Sequence, residues 1–159
     1  MAWKPPARLV RLAVLPLVLA AVPSSAFAAL GARVASVDAD RIRVQGALMR
    51  IVTSDAYALH EIRSASGTMI REYVNPSGVV FAVAWDGAWM PDLKQVLGDQ
   101  FDRYQALMQS RQRGRGGRGA IAINEPGLVV QMTGHPRAFK GRAYLPAQLP
   151  PGMALESIR

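Results

Sequence analysis

Three short apolar runs in the middle of the chain alternate with polar turns, in the pattern of neighbouring β-strands. The runs are residues 57–63, 68–74 and 79–85, and all three are rich in aromatic and β-branched side chains. The two turns between them, 64–67 and 75–78, each end in glycine, which tolerates the positive φ of a tight hairpin. The pattern therefore predicts an antiparallel meander of three strands.

The third run is apolar on both faces, which is typical of a strand in the middle of a covered sheet. Simple alternation divides its residues into a larger face with Val79, Phe81, Val83 and Trp85 and a smaller face with Val80, Ala82 and Ala84. We expect a helix to pack closely on the smaller face.

A helical pattern follows the meander and is the strongest in the chain. Pro91 and Asp92 are typical of a helix start, and the periodicity ends near Gln112. Its apolar positions recur at helical spacing and are Leu93, Val96, Leu97, Phe101, Tyr104, Leu107 and Met108. One long amphipathic helix is predicted here.

Beyond the helix, residues 110–119 hold four arginines and four glycines and have little apolar surface to bury, so we expect a mobile loop. Two further strands are predicted at 128–132 and 137–145, with a turn at 133–136. In the last strand, Phe139, Gly141, Ala143 and Leu145 form the packed face and Lys140, Arg142 and Tyr144 the face toward water.

The order of these elements predicts an α+β fold, an antiparallel sheet of about five strands with one long amphipathic helix packed on one face. Before the meander, residues 36–45 favour a short helix and the chain becomes extended near Leu48. The prolines at 146, 150 and 151 are expected to end regular structure.

The first 28 residues have the three parts of a secretory signal peptide. Lys4, Arg8 and Arg11 precede an apolar stretch at 12–22, and small residues lie three and one positions before a cut after Ala28. This predicts a cleaved signal at 1–28, a single domain at 29–159, and a periplasmic or secreted protein. The apolar stretch is too short to span a bilayer comfortably and is interrupted by Pro16 and followed by Pro23. No transmembrane segment is expected in the mature chain, because nothing after Ala28 resembles a membrane span.

Removal of the three signal cations lowers the formal charge of the chain from +8 to +5. Four of the remaining cations, Arg111, Arg113, Arg115 and Arg118, lie in the segment 110–119, so the excess charge is local. The absence of cysteine excludes disulfides, thiolate metal sites and thiol nucleophiles.

Two motif matches fail on their context. Residues 114–119 have the letters of the dinucleotide fingerprint G-x-G-x-x-G, but they follow a predicted helix instead of joining a strand to a helix. His60 and Glu61 begin a zinc motif of the H-E-x-x-H type, yet Ser64 stands at the second histidine position. We therefore predict no cofactor and no metal.

Five segments of the chain, 71–74, 81–85, 91–93, 134–139 and 141–146, together form a specific pattern. In these segments the chain resembles a known family of bacterial proteins, domain of unknown function 2844. The resemblance implies an exported bacterial product, with most of the mature chain in one domain. It implies no activity, cofactor or catalytic residue.

Three functional hypotheses follow. The favoured one is a non-catalytic binding module for an envelope polyanion or a partner protein, since four clustered arginines attract polyanions and export argues against cytoplasmic nucleic acid. Its candidate binding residues are Arg111, Arg113, Arg115, Arg118, His135, Lys140, Arg142 and Tyr144.

The two alternatives belong to other classes of protein. A small exported hydrolase would use His135 as a general base beside Asp86 or Glu72, although no nucleophile is evident. A structural protein would pair an edge strand, at 128–132 or 137–145, with another chain.

Overall fold

The computed structural model of the protein describes Met1 and residues 30–33, 47–112 and 120–159. In this part of the chain, seven strands form one antiparallel sheet in the order β1-β2-β3-β4-β7-β6-β5. In chain order they are β1 (Ala47–Thr53), β2 (Ala58–Arg63), β3 (Met69–Val74), β4 (Val80–Gly87), β5 (Ile121–Glu125), β6 (Leu128–His135) and β7 (Ala138–Tyr144). The α+β class is confirmed, but five strands was too few.

The meander formed as predicted. Strands β2, β3 and β4 pair consecutively, and the glycines that end their turns have positive φ values, 85° at Gly67 and 76° at Gly78. The two strands that raise the number to seven are β1, where only an extended chain near Leu48 was expected, and β5, which was not foreseen. β5 and β6 form a hairpin of their own.

The predicted helix is present but interrupted. α1 (Leu93–Leu97) begins at Asp92, whose Oδ1 accepts a hydrogen bond from the Lys94 amide at 2.9 Å. Gly98 then has a φ of 49°, a conformation that favours glycine, and a short 3₁₀ turn leads into α2 (Phe101–Gln112). All seven predicted apolar positions of the helix belong to or pack against the larger of the two core clusters.

The helices pack on one face of the sheet, the helix face. It is the face of Val83 and Trp85, so the expected packing on the alanines of β4 is wrong. A register shift between Tyr73 and Val74 also changes which residues of β4 share a face, because it places a bulge in β4 opposite these residues. The bulge puts Val80 with the helix-face cluster and Phe81 with the opposite one, contrary to simple alternation.

The opposite face of the sheet, the outer face, is covered in part by the C-terminal segment, residues 146–159. Four of its apolar side chains, Leu149, Met153, Leu155 and Ile158, pack in a second core cluster. On the sheet this cluster includes Tyr73, Phe81, Ala82, Ala84 and Tyr144, and the rings of Tyr73 and Phe81 lie 6.2 Å apart. The sheet is therefore buried on both sides at its centre, and residues 80–85 of β4 are buried, as the sequence predicted for this run.

The residues that precede the sheet also contact its central strand. The amide of Gly31 donates to the carbonyl of Val80 at 2.8 Å, and the amide of Val80 donates to the carbonyl of Ala32 at 2.9 Å. Leu30 is 1 % exposed and joins the larger core cluster. Residues 30–32 thus pack as part of the domain.

Several predictions fall outside the described residues. They are the signal peptide at 2–28, the helix at 36–45 and the arginines at 113, 115 and 118. Of the predicted loop at 110–119, Ser110 to Gln112 belong to α2. No helix of the described part is long and apolar enough to cross a bilayer.

Candidate functional site

The outer face has an apolar half and a charged half, and the strand register shows where each lies. One row across the sheet, Leu59-Tyr73-Ala82-Tyr144-Val129, lies where the C-terminal segment packs. The next row on the same face is Arg50-Glu61-Arg71-Ala84-Arg142-Gln131-Ala122, and the one after it contains Arg63, Met69, Asp86, Lys140 and Thr133. The side chains of a row are neighbours because cross-strand partners point to the same side.

We call the last two rows the charged rows. They hold five cations, Arg50, Arg63, Arg71, Lys140 and Arg142, against two acids, Glu61 and Asp86. Arg50, Arg63 and Lys140 are exposed, and Arg71 and Arg142 are partly buried. The outer face is therefore basic where the C-terminal segment leaves it open.

Ion pairs neutralise part of this charge. Arg71 Nε donates to Glu61 Oε1 at 3.1 Å, with about a quarter of each side chain exposed. Lys140 Nζ lies 3.5 Å from Asp86 Oδ2, and both side chains are more than half exposed. Such an exposed pair contributes roughly 0–1 kcal/mol, so Lys140 remains available to an anionic ligand.

Arg142 acts differently from the other cations, because it holds the C-terminal segment. Its Nη1 donates to the carbonyls of Leu155 at 2.6 Å and Ile158 at 3.3 Å, and its Nε donates to Gln131 Oε1 at 2.8 Å. Tyr73 holds the same segment from the other side of β4, since its hydroxyl donates to Ser157 at 2.9 Å. Burial raises the pKa of the Tyr73 hydroxyl above its usual value, and a hydrogen bond with the Arg159 backbone opposes the increase.

The sequence of the chain matches the family described as protein of unknown function (DUF2844) over residues 26–158. The chain belongs to this family. The match confirms the resemblance found in the sequence, and its range includes all seven strands and both helices. A search of curated proteins and of solved structures finds no match.

Two pockets lie in the charged half of the outer face. The polar pocket, about 760 Å³, is lined by residues that include Tyr57, Glu61, Arg71 and Asp86. The apolar pocket, about 380 Å³, lies over β5, β6 and β7 and has walls made mostly of carbon atoms. The pockets share Lys140, Glu156 and Arg159, so they meet beside the C-terminal segment.

The predicted site residues are only partly brought together. Lys140 and Arg142 share the outer face, as their alternation predicted. Tyr144 is on that face too, but it is 6 % exposed beneath the C-terminal segment, so its expected exposure to water is wrong. Arg111 donates a hydrogen bond to the carbonyl of Ala122, which ties α2 to the outermost described strand.

His135 is exposed at the end of β6, next to the turn formed by Pro136 and Arg137. Its Nδ1 lies 3.2 Å from the Pro136 carbonyl, which is the hydrogen-bond contact of its ring in the described structure. Glu72 is buried on the helix face, where its register partner is His60, and Asp86 is opposite Lys140, two strands away from β6. The two carboxylates proposed as partners of His135 are therefore elsewhere.

Within the described residues, no group of three or more histidine, aspartate or glutamate side chains is placed to hold a metal ion. His60 and Glu61, which begin the incomplete zinc motif, lie in adjacent positions of β2 and so point to opposite faces. The two strands proposed for edge pairing, at 128–132 and 137–145, are interior strands, and β1 and β5 are the outermost described ones.

Sequence reasoning missed Arg50, Arg63, Arg71 and Arg159 as members of the basic surface. The alternation in β2 and β3 places Arg63 and Arg71 on one face of each strand, and this signal was available. What joins them to Lys140 and Arg142 is the β4–β7 pairing, which connects segments far apart in the chain.

Proposed function

We propose that the protein is an exported, non-catalytic binding module that holds an anionic polymer of the bacterial envelope on its charged rows. The observation that carries the proposal is the excess of five cations over two acids on the charged rows, with Arg50, Arg63 and Lys140 exposed. Clustered cations of this kind raise the local concentration of an anionic ligand and speed its association.

The spacing of the cations favours a polymer over a small anion. The exposed cations Arg50 and Lys140 lie on β1 and β7, which are four steps between neighbouring strands apart. At about 4.8 Å a step, this separation is about 19 Å across the sheet, more than a single phosphate or carboxylate group can span. A chain with repeated negative charges would contact several of these cations at once.

Export is part of the proposal and rests on the signal-like sequence at 1–28. The arginines at 111, 113, 115 and 118 remain candidates for further contacts with the polymer, because they concentrate charge in one segment. Arg111 also holds the carbonyl of Ala122, so its substitution would disturb the fold as well as the surface charge.

The alternatives have less support. A hydrolase that uses His135 would need a carboxylate or hydroxyl within hydrogen-bond reach of a free ring nitrogen. Pairing with another chain through a sheet edge would have to use β1 or β5. β1 is the better of the two, since Met49 and Ile51 are 58 % and 54 % exposed.

The test compares two charge reversals of equal size. Arg50→Glu with Arg63→Glu changes the charged rows at exposed positions that line neither pocket. Lys94→Glu with Arg103→Glu makes the same change of net charge at exposed positions of the helices. The mature chain is applied to immobilised alginate and eluted with salt.

We expect the first pair to weaken retention at least tenfold and to lower its salt dependence, while the second pair leaves both nearly unchanged. Equal loss in the two pairs would mean that net charge alone is responsible, and the proposed surface would be wrong. Retention that neither pair changes would also contradict the proposal.

A further inference from the structure

The apolar pocket is out of place on a charged surface. It lies at the β5 end of the charged rows, where the row that begins with Arg50 ends in Ala122. The charged groups of an anionic polymer would not be stabilised by walls made of carbon atoms, because burial of apolar surface favours an apolar ligand group. The pocket therefore indicates a second part of the ligand with different chemistry.

The lining shows why this part of the surface is apolar. Ala122 is a small side chain on the outermost described strand. Ile158 supplies an aliphatic wall from the C-terminal segment. The Arg142 guanidinium is directed to the carbonyls of Leu155 and Ile158, so it is engaged by the protein although Arg142 lines the pocket.

The part of the apolar pocket that adjoins the polar pocket has more cationic than acidic side chains. Lys140 and Arg159 line both the apolar and the polar pocket, and Glu156 is the acid beside them. An apolar chain bound over β5, β6 and β7 would thus place its head group near two cations. From there the polar pocket and the charged rows continue across the sheet to β2.

We propose that the ligand is an acylated anion, whose acyl chain occupies the apolar pocket and whose anionic head group lies against Lys140 and Arg159. This inference rests on the proposed function and specifies its ligand, an anionic envelope molecule that carries an acyl chain. The groove formed by both pockets reaches from β2 to β5, five strand spacings or about 24 Å, and has room for both parts.

The test fills the pocket and keeps the charges. Ala122→Trp puts an indole ring into the pocket from an exposed position. Asn124→Trp is the matched control, because Asn124 is exposed two residues further along the same strand, faces the same side and does not line the pocket. The probes for titration calorimetry are octyl phosphate, inorganic phosphate without a chain, and octyl glucoside without a charge.

We expect octyl phosphate to bind the parent chain and Asn124→Trp alike, and Ala122→Trp at least tenfold more weakly. Inorganic phosphate and octyl glucoside should each bind the parent at least tenfold more weakly than octyl phosphate. Equal binding of octyl phosphate to all three proteins would overturn the inference, as would equal binding of either control probe.

A second variant keeps the inference testable if Ala122→Trp fails to fold. Lys140→Ala changes an exposed side chain. We expect this variant to bind octyl phosphate more weakly than the parent chain does, and to bind octyl glucoside equally well. Unchanged binding of octyl phosphate by Lys140→Ala would contradict the proposed position of the head group.

Two further measurements identify the source of the ligand and test the proposed function independently of the acyl site. If the parent chain sediments with phosphatidylglycerol vesicles and Ala122→Trp does not, the ligand is a membrane lipid. If the parent chain binds octyl phosphate but does not sediment with the vesicles, the ligand is a dissolved acylated anion. Ala122→Trp should still be retained on alginate but should lose octyl phosphate binding. Arg50→Glu with Arg63→Glu should lose retention on alginate but should still bind octyl phosphate. Failure of the acyl site is thereby distinct from failure of the polymer surface.

Discussion

Gly141 determines how the largest buried side chain packs. It is the register partner of Trp85, which is 0 % exposed, and a Cβ at Gly141 would overlap the indole ring. Glycine on β7 thus lets the ring lie against the neighbouring strand on the helix face, where Met132 is also close. The packed face that alternation predicted for β7 is confirmed, but only the structure shows what packs there.

We predict that Gly141→Ala lowers the free energy of unfolding by about 1–3 kcal/mol, because an added methyl group in a filled core forces side chains away from their preferred rotamers. Gly127→Ala is the control, since the nearest atoms to its added Cβ belong to the flexible end of Arg103. That change should stay within about 0.5 kcal/mol. Urea unfolding measures both, and equal effects would show that the contact with Trp85 does not matter.

At the scale of elements, the C-terminal segment is the part that gives the outer face its two halves. Tyr73 attaches it to β3 through its hydroxyl, and Arg142 attaches it to β7. Because burial raises the pKa of Tyr73 above the value of 10.0 for a free tyrosine, the folded state keeps the proton at pH values where the unfolded state has lost it. Stability is then complete below about pH 10 and falls as the pH rises further.

We predict that Tyr73→Phe lowers the free energy of unfolding by about 0.5–1.5 kcal/mol at neutral pH, since the segment loses the hydrogen bonds of that hydroxyl. The variant should also lose less stability than the parent when the pH rises above about 10. Some alkaline sensitivity should remain, because burial raises the pKa of Tyr104 as well. Urea unfolding at several pH values tests this, and identical alkaline slopes would contradict the role of Tyr73.

The elements differ in how far the sequence could predict them. Local signals sufficed for β2, β3, β4 and the helix start at Asp92, since strand alternation, glycine turns and a cap are properties of short segments. The residues of β5 were missed because Ile121–Glu125 is a short segment that ends in two polar residues, and it forms a strand by pairing with β6. The bulge beside Phe81 was also beyond reach, because it depends on the register with β3.

The same limit applies to the candidate site. Alternation alone placed Lys140 and Arg142 on one face, which the structure confirms. It failed for Tyr144, because the residues that cover this ring, such as Ile158, follow later in the chain and form no strand. Long-range pairing, which sequence patterns do not contain, assembled the rest of the basic surface.

At the scale of the whole molecule, the beginning of the domain is fixed by packing. Leu30 is 1 % exposed, its amide donates to the Val96 carbonyl at 3.2 Å, and Arg33 pairs with Val79 as an isolated bridge. The cut proposed after Ala28 would leave Ala29 in front of this buried residue. A cut after Leu30 would instead remove a side chain of the core, a loss of about 2–5 kcal/mol for leucine.

We therefore predict that the exported chain begins at Ala29. Intact-mass measurement of the protein recovered outside the cytoplasm should give the mass of residues 29–159. Ala28→Arg is the control, because a large charged residue at the cut should block processing and leave the full length. Recovery of the parent only as the uncut chain would contradict both the cut and the proposed export.

The C-terminal segment also determines when the molecule can finish folding. Residues 149–158 provide one side of the second core cluster, and a ribosome delivers them after all seven strands. Until they arrive, Tyr73 and Tyr144 have no cover and the outer face cannot bury its apolar row. The second core cluster therefore cannot be completed until translation has passed every strand.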